Sequence, residues 1–288
     1  MELLPPEIIL GMVEQHMNMA TVMQFMQTTK ARSPHPNSPQ RRTYEASICR
    51  AQMAARRLPP AGHVLSSRGP ERRVIAANTF AAVLELDVRQ ERISDALRHD
   101  FWNTGSPPLL GPLTRRQQAR LLELMRASLC RCDHIADIAA ACSHPRAPAD
   151  TRTAQIDYMA SLSTEQLAAL FYTVDMAGFG FVRARKYEAE DPLVWEKITV
   201  FEECLLRHGS WFLWAHLQGG QASHATQLIE AGLKELTDWE TGKEGMLPGL
   251  RMSLVDAYRA RLGDAHDVDL EASLRERVRR QVMAPQNT

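Results

Sequence analysis

The chain has 288 residues, of which 34 are basic, 34 are acidic and 44% are hydrophobic. This composition is typical of a globular protein with one large domain or two small ones, and the balanced charge argues against a general binder of nucleic acid or acidic membranes. The chain has five cysteines, an odd number, and all of them lie in apolar helical patterns. These features favour reduced thiols over a disulfide framework.

The first predicted elements are two short helices and a proline-rich loop. Residues 6–17 carry an apolar stripe at helical spacing with a proline at its start, and a second helix follows with Met19 and Met26. The stretch KARSPHPNSPQRR breaks the pattern, and Tyr44 and Ile48 begin a third helix. Together these elements predict a three-helix segment at 1–56, followed by a linker at 57–71.

Longer helices are predicted for the rest of the chain. Ser163 and Gln166 have the spacing of a capping box, and His208-Gly209 predicts a local break in a helix. The predicted helical stretches are 72–86, 91–102, about 115–142, 193 to about 217, 221–239, 250–262 and 270–282. A further helix opens at the capping box of Ser163 and runs through Val174. No internal repeat occurs. The fold class is therefore all-α, with an irregular multi-helix domain at 72–262 and a charged helix in a tail at 263–288 that we expect to stand apart from the core.

The best candidate for a metal site is CRCDHIADIAAACSH. It contains thiol and imidazole groups suited to zinc, on Cys130, Cys132, His134, Cys142 and His144. In a helix only residues three or four apart share a face, so Cys130 and His134 would provide two ligands rather than a closed tetrahedral set. The spacing favours small buried thiols on a packed helix, and we predict neither a metal nor another cofactor.

A second candidate site lies in FEECLLRHGSWFLWAH. This stretch offers an acid pair, a serine and two histidines: Glu202, Glu203, His208, Ser210 and His216. No Gly-x-Ser-x-Gly elbow surrounds the serine, and the aromatic residues are typical of a buried helix. We predict a structural role for these residues. The alternative is an enzyme with a site among the helices at 203–216, around His208, Glu203 and Tyr172.

Three further sequence features favour structural roles. Gly178-x-Gly180 is too short for a nucleotide-binding fingerprint and follows a helix rather than a strand. Arg183, Arg185 and Lys186 are typical of a solvated helix end, and the alternative is the rim of a peptide-binding groove. The basic cluster at 275–280 is interpreted as a surface helix, although a nuclear import signal is the other possibility.

The opening residues resemble a known family. The phrase Leu4-Pro5-Pro6-Glu7-Ile8-Ile9, followed by a second helix and a Thr-Thr-Lys ending, resembles the F-box over about 55 residues. The phrases at 162–165 and 201–214 are more loosely similar to filamentous-fungal F-box proteins with a helical C-terminal region. The chain departs from the family pattern where methionines replace the usual leucines of the second helix and where the loop is rich in proline.

The resemblance implies that residues 1–56 dock the Skp-type adaptor of a cullin–RING ubiquitin ligase. The helical remainder would recruit a protein substrate for ubiquitin-dependent degradation, while partner subunits transfer the ubiquitin. Leucine, proline and isoleucine side chains would enter an apolar groove on the adaptor, and methionine would adapt to it. The implied adaptor-binding residues are Leu4, Pro5, Glu7, Ile8, Ile9, Met12, Val22, Met23 and Met26.

The prediction is therefore a non-enzymatic adaptor protein without nucleic-acid or membrane partners. A helical interaction scaffold that lacks the ligase role is the alternative. The first residues carry no basic charge before Lys30, and the longest apolar run contains Asp175. These features predict neither a signal peptide nor a membrane span, and we expect a cytoplasmic or nuclear protein.

Overall fold

The structure, a computed structural model, describes residues 65–67, 74–76, 80–99, 102, 110–141, 148–184, 193–218, 222–240, 249–263 and 269–284. Regular structure in these residues is almost entirely helical, which confirms the predicted all-α class. The three-helix segment predicted at 1–56 lies outside the described residues.

A two-stranded ladder precedes the described helices. Strands β1 (Leu65–Ser66) and β2 (Val74–Ile75) pair antiparallel, with Leu65 opposite Ile75. Two residues are too few to show an alternating pattern, which is why the sequence predicted no strand. The helices are α1 (Phe80–Arg98), α2 (Arg115–Ala141), α3 (Pro148–Ser161), α4 (Thr164–Ala184), α5 (Val194–His208), α6 (Ser210–Leu217), α7 (Ala222–Glu240), α8 (Leu250–Leu262) and α9 (Leu270–Met283).

The chain divides into two compact units. The first comprises Met1–Ser67 with Glu71–Gln90, and the second comprises Arg68–Pro70 with Glu91–Thr288. In the first unit Leu65, Ala82 and Leu86 form a small buried cluster. The buried Arg89 donates from Nη2 to the carbonyl oxygen of Ser66 at 2.6 Å, and its Nε donates to Glu85 at 2.9 Å.

Helix α4 lies at the centre of the second unit. It packs against α2, α5, α8 and α9, and its residues from Leu167 to Leu170 are all buried. A helix that is apolar around most of its circumference is expected to be surrounded by other elements, as α4 is. The core continues through Phe181, Phe201 and Phe212, whose rings contact one another in sequence at centroid distances of 4.6 and 5.0 Å.

The predicted helix starts are confirmed by their caps. The backbone N–H of Ser163 donates to Gln166 Oε1 at 3.0 Å, and the N–H of Gln166 donates to Ser163 Oγ at 3.2 Å. Thr114 and Gln117 make the same reciprocal pair before α2, with distances of 2.8 and 3.3 Å. Each pair satisfies backbone donors that have no partner within the first turn of the helix.

At three places the structure changes or confirms the helices predicted from the sequence. The stretches predicted as two helices at 72–86 and 91–102 meet in one helix, α1, which begins only at Phe80, and the helix prediction is wrong for Val74–Ile75, which form β2. Helix α3 was not predicted, because its inward side carries the polar Gln155 beside Met159, although Pro148 at its first position is a typical start signal. The break predicted at His208-Gly209 is confirmed, since Gly209 separates α5 from α6 with a φ of 69°.

Helix α9 corrects one expectation. The charged tail helix was expected to stand apart from the core, but Leu274, Val278 and Val282 are buried against the second unit. These three residues recur every four positions, so they form one narrow apolar face in an otherwise charged helix. Its arginines face outward to carboxylates instead: Arg275 pairs with Glu271, Arg277 with Glu165 and Arg280 with Glu276.

The described helices contain no apolar stretch that could cross a membrane.

Candidate functional site

The adjacent acids of α5 face different surroundings. Successive side chains of a helix point about 100° apart, so those of Glu202 and Glu203 contact different parts of the surrounding structure. Glu202 is 1% exposed and lies between α4 and α8, whereas Glu203 lies among arginines from α3 and α5. The two side chains therefore do not act together as an acid pair.

Glu202 lies in a buried charged cluster with Arg251 and Asp175. Oxygen Oε2 of Glu202 accepts a hydrogen bond from Arg251 Nε, while Oε1 has no hydrogen-bond partner among the described residues. Burial raises the pKa of Glu202 to about 8, against the opposing effect of the Arg251 charge, and the negative charge of Asp175 raises it further. Burial also raises the pKa of Asp175 to about 6. The cluster therefore holds a proton on Glu202 at neutral pH.

Glu203 accepts hydrogen bonds from two donors and also lies close to the guanidinium group of Arg152. Oε1 accepts from Arg207 Nε at 2.7 Å and lies 3.7 Å from Arg152 Nη1, while Oε2 accepts from the backbone N–H of Arg251 at 2.9 Å. Arg207 also contacts Glu235 on α7 at 2.5 Å. These contacts join α3, α5, α7 and α8, so Glu203 has a structural role in this network.

Gly178 allows α4 and α5 to approach each other at the buried cluster. A Cβ atom at Gly178 would lie 2.5 Å from Glu202 Oε1 and 2.9 Å from Ile198 Cγ2. Glycine in a helix interior costs about 1 kcal/mol relative to alanine, so a glycine here needs a packing reason. The close contact with α5 provides that reason.

We expect Gly178→Ala to destabilise the protein by about 1–2 kcal/mol. The cost of overpacking against Ile198 and Glu202 exceeds the gain in helix propensity, because both neighbours are buried. Urea unfolding of the wild type, Gly178→Ala and Gly178→Val measures the effect, and the loss should grow with side-chain size. A gain of about 1 kcal/mol for the alanine variant would show that propensity alone decides the outcome and that the contact is unimportant.

Ser210 is bound by a carboxylate on another helix. Its backbone N–H donates to Asp133 Oδ1 at 2.9 Å and its hydroxyl donates to Asp133 Oδ2 at 2.7 Å, with Asp133 3% exposed. Asp133 of α2 therefore caps the first turn of α6 from outside that helix. A Cβ atom at Gly209 would lie 2.2 Å from Asp133 Oδ1, so this approach requires glycine.

The other candidate catalytic residues have separate neighbours. His216 packs edge-on between Phe181 and Phe201 at centroid distances of 5.3 and 5.2 Å, and the ring of His208 lies 6.3 Å from that of Phe212. Tyr172 is fully buried, and burial together with the charge of Asp175 raises the pKa of its hydroxyl. These surroundings give the histidine rings packing contacts in the aromatic core.

The candidate zinc ligands that the structure describes are on α2. Cys132 is buried and burial raises its thiol pKa, while the ring of His134 packs edge-on against Tyr158 at 4.1 Å. Cys130, Cys132 and Cys204 form no disulfide bond within the part of the chain that the structure describes. Among the residues with described positions, no three potential ligands cluster closely enough to hold a metal ion. Cys142 and His144 lie outside the described residues.

Several other predicted residues also lie outside the described part of the chain. These are all nine implied adaptor-binding residues, together with Arg185 and Lys186. Arg183 is described and is exposed at the end of α4, as the sequence indicated.

Three residues that organise the buried polar groups are not among the candidate site residues that the sequence singled out: Asp133, Asp175 and Arg251. Each is a charge inside an otherwise apolar helical stripe, such as Asp175 in LAALFYTVDMAGFGFV. A charge at a core position indicates a partner on another helix, because an isolated ion is costly to bury. That signal is in the sequence, but it does not identify the partner.

The comparisons with known proteins identify no relative. No protein-family model, no curated protein and no solved structure matches this chain.

Proposed function

We propose that this chain is an F-box-type substrate-recruiting subunit. Residues 1–56 would dock a Skp adaptor of a cullin–RING ubiquitin ligase, and the helical remainder would present a protein substrate. The single observation that carries the proposal is the sequence phrase Leu4-Pro5-Pro6-Glu7-Ile8-Ile9. Its prolines would reduce the entropy lost when the segment is ordered on the partner, and its leucine and isoleucines supply apolar area for burial.

The helical domain is compatible with a recruiting role that involves no catalysis by this chain. Ser210 and Glu203 use their polar atoms in contacts that join helices, and His216 lies within the aromatic core. In this proposal partner subunits transfer the ubiquitin, and the protein acts in the cytoplasm or the nucleus. No cofactor is required.

One observation favours the enzyme alternative. The raised pKa of Glu202 is of the kind found in general acids and bases. Glu202 is 1% exposed, however, and a catalytic acid must come within hydrogen-bond distance of its substrate. The described cavity lies elsewhere, between α2, α4 and α9. We therefore favour the adaptor function and attribute the shifted pKa of Glu202 to its structural burial.

Binding of the full chain to a purified Skp-type adaptor tests the proposal. We expect micromolar or tighter affinity, and a variant with Leu4, Pro5 and Ile8 changed to alanine should bind at least about 100-fold more weakly. The reason is that each buried apolar side chain contributes about 1.5–3 kcal/mol. Isothermal titration calorimetry measures the affinities directly.

A matched triple variant provides the control. Leu122, Leu193 and Met252 are exposed apolar residues of the helical domain, and changing all three to alanine removes a similar apolar area from described surfaces. This control should bind the adaptor like the wild type. If the folded wild-type chain does not bind, the adaptor function is wrong and the helical-scaffold alternative takes its place.

A further inference from the structure

A basic groove lies on one side of the second unit. It has a volume of about 580 Å³ and is lined by residues of α2, α4 and α9. That volume is in the range of sites that bind small ligands or short peptide segments. Its arginines, Arg116, Arg120 and Arg131, all come from one stripe of α2.

The two acids in the groove wall are paired with arginines outside the wall. Glu123 contacts Arg126 at 3.4 Å, and Glu165 contacts Arg277 at 3.4 Å. Neither of these arginines lines the groove. Each wall acid therefore has a cation close to it outside the lining, and the described lining itself holds three arginines against two acids, which leaves a net positive charge.

Two of the lining arginines have no carboxylate partner among the described residues. Arg120 donates to the backbone carbonyls of Val282 and Ala284 at the end of α9. Arg131 makes no hydrogen bond or ion pair with a described side chain, and its charge lowers the pKa of the neighbouring Tyr158, which burial raises overall to about 12. An anionic ligand would complement both guanidinium groups.

The floor between the two arginines is small and apolar. It is formed by Leu124, Ala127 and Ala169, and none of the described residues that line the groove is aromatic. Alanine side chains allow a peptide backbone to approach closely, whereas single-stranded nucleic acid is typically held by stacking of its bases on aromatic rings. The lining therefore favours an acidic polypeptide over nucleic acid.

We infer that this groove binds an extended acidic segment of a partner protein, with two carboxylates about five residues apart. Arg120 and Arg131 are eleven positions apart on α2, which corresponds to about 16 Å along the helix axis. An extended chain covers that distance in about five residues at roughly 3.3 Å per residue. Identification of this segment as a recruited substrate rests on the proposed function, whereas the binding itself does not require the adaptor.

Fluorescence anisotropy with a labelled peptide tests the inference on the full chain without the adaptor. The probe is an eight-residue peptide of alanine and glycine with glutamates at its second and seventh positions. At about 150 mM salt we expect binding that weakens at least tenfold when both glutamates are replaced by glutamine. Arg131→Gln should weaken binding of the glutamate peptide at least fivefold, because it removes one of the two guanidinium groups that the carboxylates would contact.

Arg183→Gln is the matched control. It removes the same charge from α4, at an exposed position fourteen residues beyond Ala169, or about 21 Å along the helix. It should bind the glutamate peptide within about twofold of the wild type, because exposed charges at that distance are screened.

Three outcomes would overturn the inference. They are absence of peptide binding by the folded wild type, equal weakening by Arg131→Gln and Arg183→Gln, and tighter binding of oligothymidine than of the glutamate peptide. Failure of adaptor docking with intact peptide binding would overturn only the proposed ligase role, so the two failures are distinguishable.

Discussion

Replacing Glu202 with glutamine is expected to stabilise the protein at pH 8 and to leave its stability almost unchanged at pH 5. Burial holds Glu202 protonated in the folded state up to a pKa of about 8, compared with an ordinary value of 4.5. Glutamine has the shape of the protonated acid and cannot ionise. The expected gain at pH 8 is about 2 kcal/mol, less than the full pKa shift implies, because the glutamine amide also places an NH2 group where Oε1 of Glu202 has no hydrogen-bond partner among the described residues.

The sign follows from the direction of the shift. A group whose pKa is raised by folding stabilises the folded state fully below its unfolded pKa and loses that contribution as pH rises through its folded pKa. The contribution of Glu202 is therefore lost between about pH 4.5 and pH 8. Asp175, whose pKa is raised to about 6, loses its contribution between about pH 4 and pH 6 and still titrates in the variant. The groups that face the cluster are Arg251 from α8, and Glu271 and Arg275 from α9.

Urea unfolding at pH 5, 6.5, 8 and 9 measures this effect. The difference between Glu202→Gln and the wild type should grow with pH and level off above about pH 8. Glu203→Gln is the matched control, because the neighbouring carboxylate accepts hydrogen bonds from Arg207 and from the backbone of Arg251. It should destabilise the protein at pH 8. A difference between Glu202→Gln and the wild type that does not vary with pH would contradict protonation of Glu202.

Replacing Asp133 with alanine is expected to lower the free energy of unfolding by about 3 kcal/mol. Both oxygens accept hydrogen bonds from Ser210, and the substitution leaves the backbone N–H and the hydroxyl of a buried residue without their acceptor. A buried donor without an acceptor costs about 1–3 kcal/mol, and bonds to a charged acceptor are at the upper end of that range. The first turn of α6 also loses its cap.

A double-mutant cycle separates the cap from the loss of side-chain volume. Ser210→Ala removes only the hydroxyl, so Asp133→Ala combined with Ser210→Ala should cost less than the sum of the two single changes. The control is Asp95→Ala, which removes an exposed acid paired with Arg98 and should change stability by less than about 1 kcal/mol. Strict additivity in the cycle would show that the two side chains do not interact in solution.

Local sequence patterns predicted most helices and several of their ends. The capping box at Ser163, the helix start after Thr114, the break at Gly209 and both ends of α8 depend on residues within one or two turns of each other. Such short-range interactions are visible in a single sequence. Helix α3 was missed because its inward side includes Gln155, whose amide donates to the carbonyl of Ile135 on α2 at 2.9 Å. A buried polar residue whose hydrogen-bond acceptor lies on another helix interrupts the apolar spacing from which a helix is predicted.

The candidate sites were predicted less well because their chemistry depends on long-range partners. The sequence singled out Glu202, Glu203 and Ser210, but it placed them together as a possible catalytic set. The structure joins Glu202 to Arg251, Glu203 to Arg207 and Ser210 to Asp133. Two of these three partners are 49 and 77 residues away along the chain. No periodic pattern links positions at such separations.

The sequence by itself determined the helical class of this protein and the starts of helices such as α2 and α4, because turn chemistry and apolar spacing act between neighbouring residues. It also contains the F-box-like phrase at Leu4–Ile9 that motivates the proposed function. Only the tertiary structure decided which charges are buried together, why Gly178 and Gly209 are glycines, and where the arginines of α2 face an open groove. The physical reason is that burial, pKa shifts and close backbone approach arise where distant segments pack against one another.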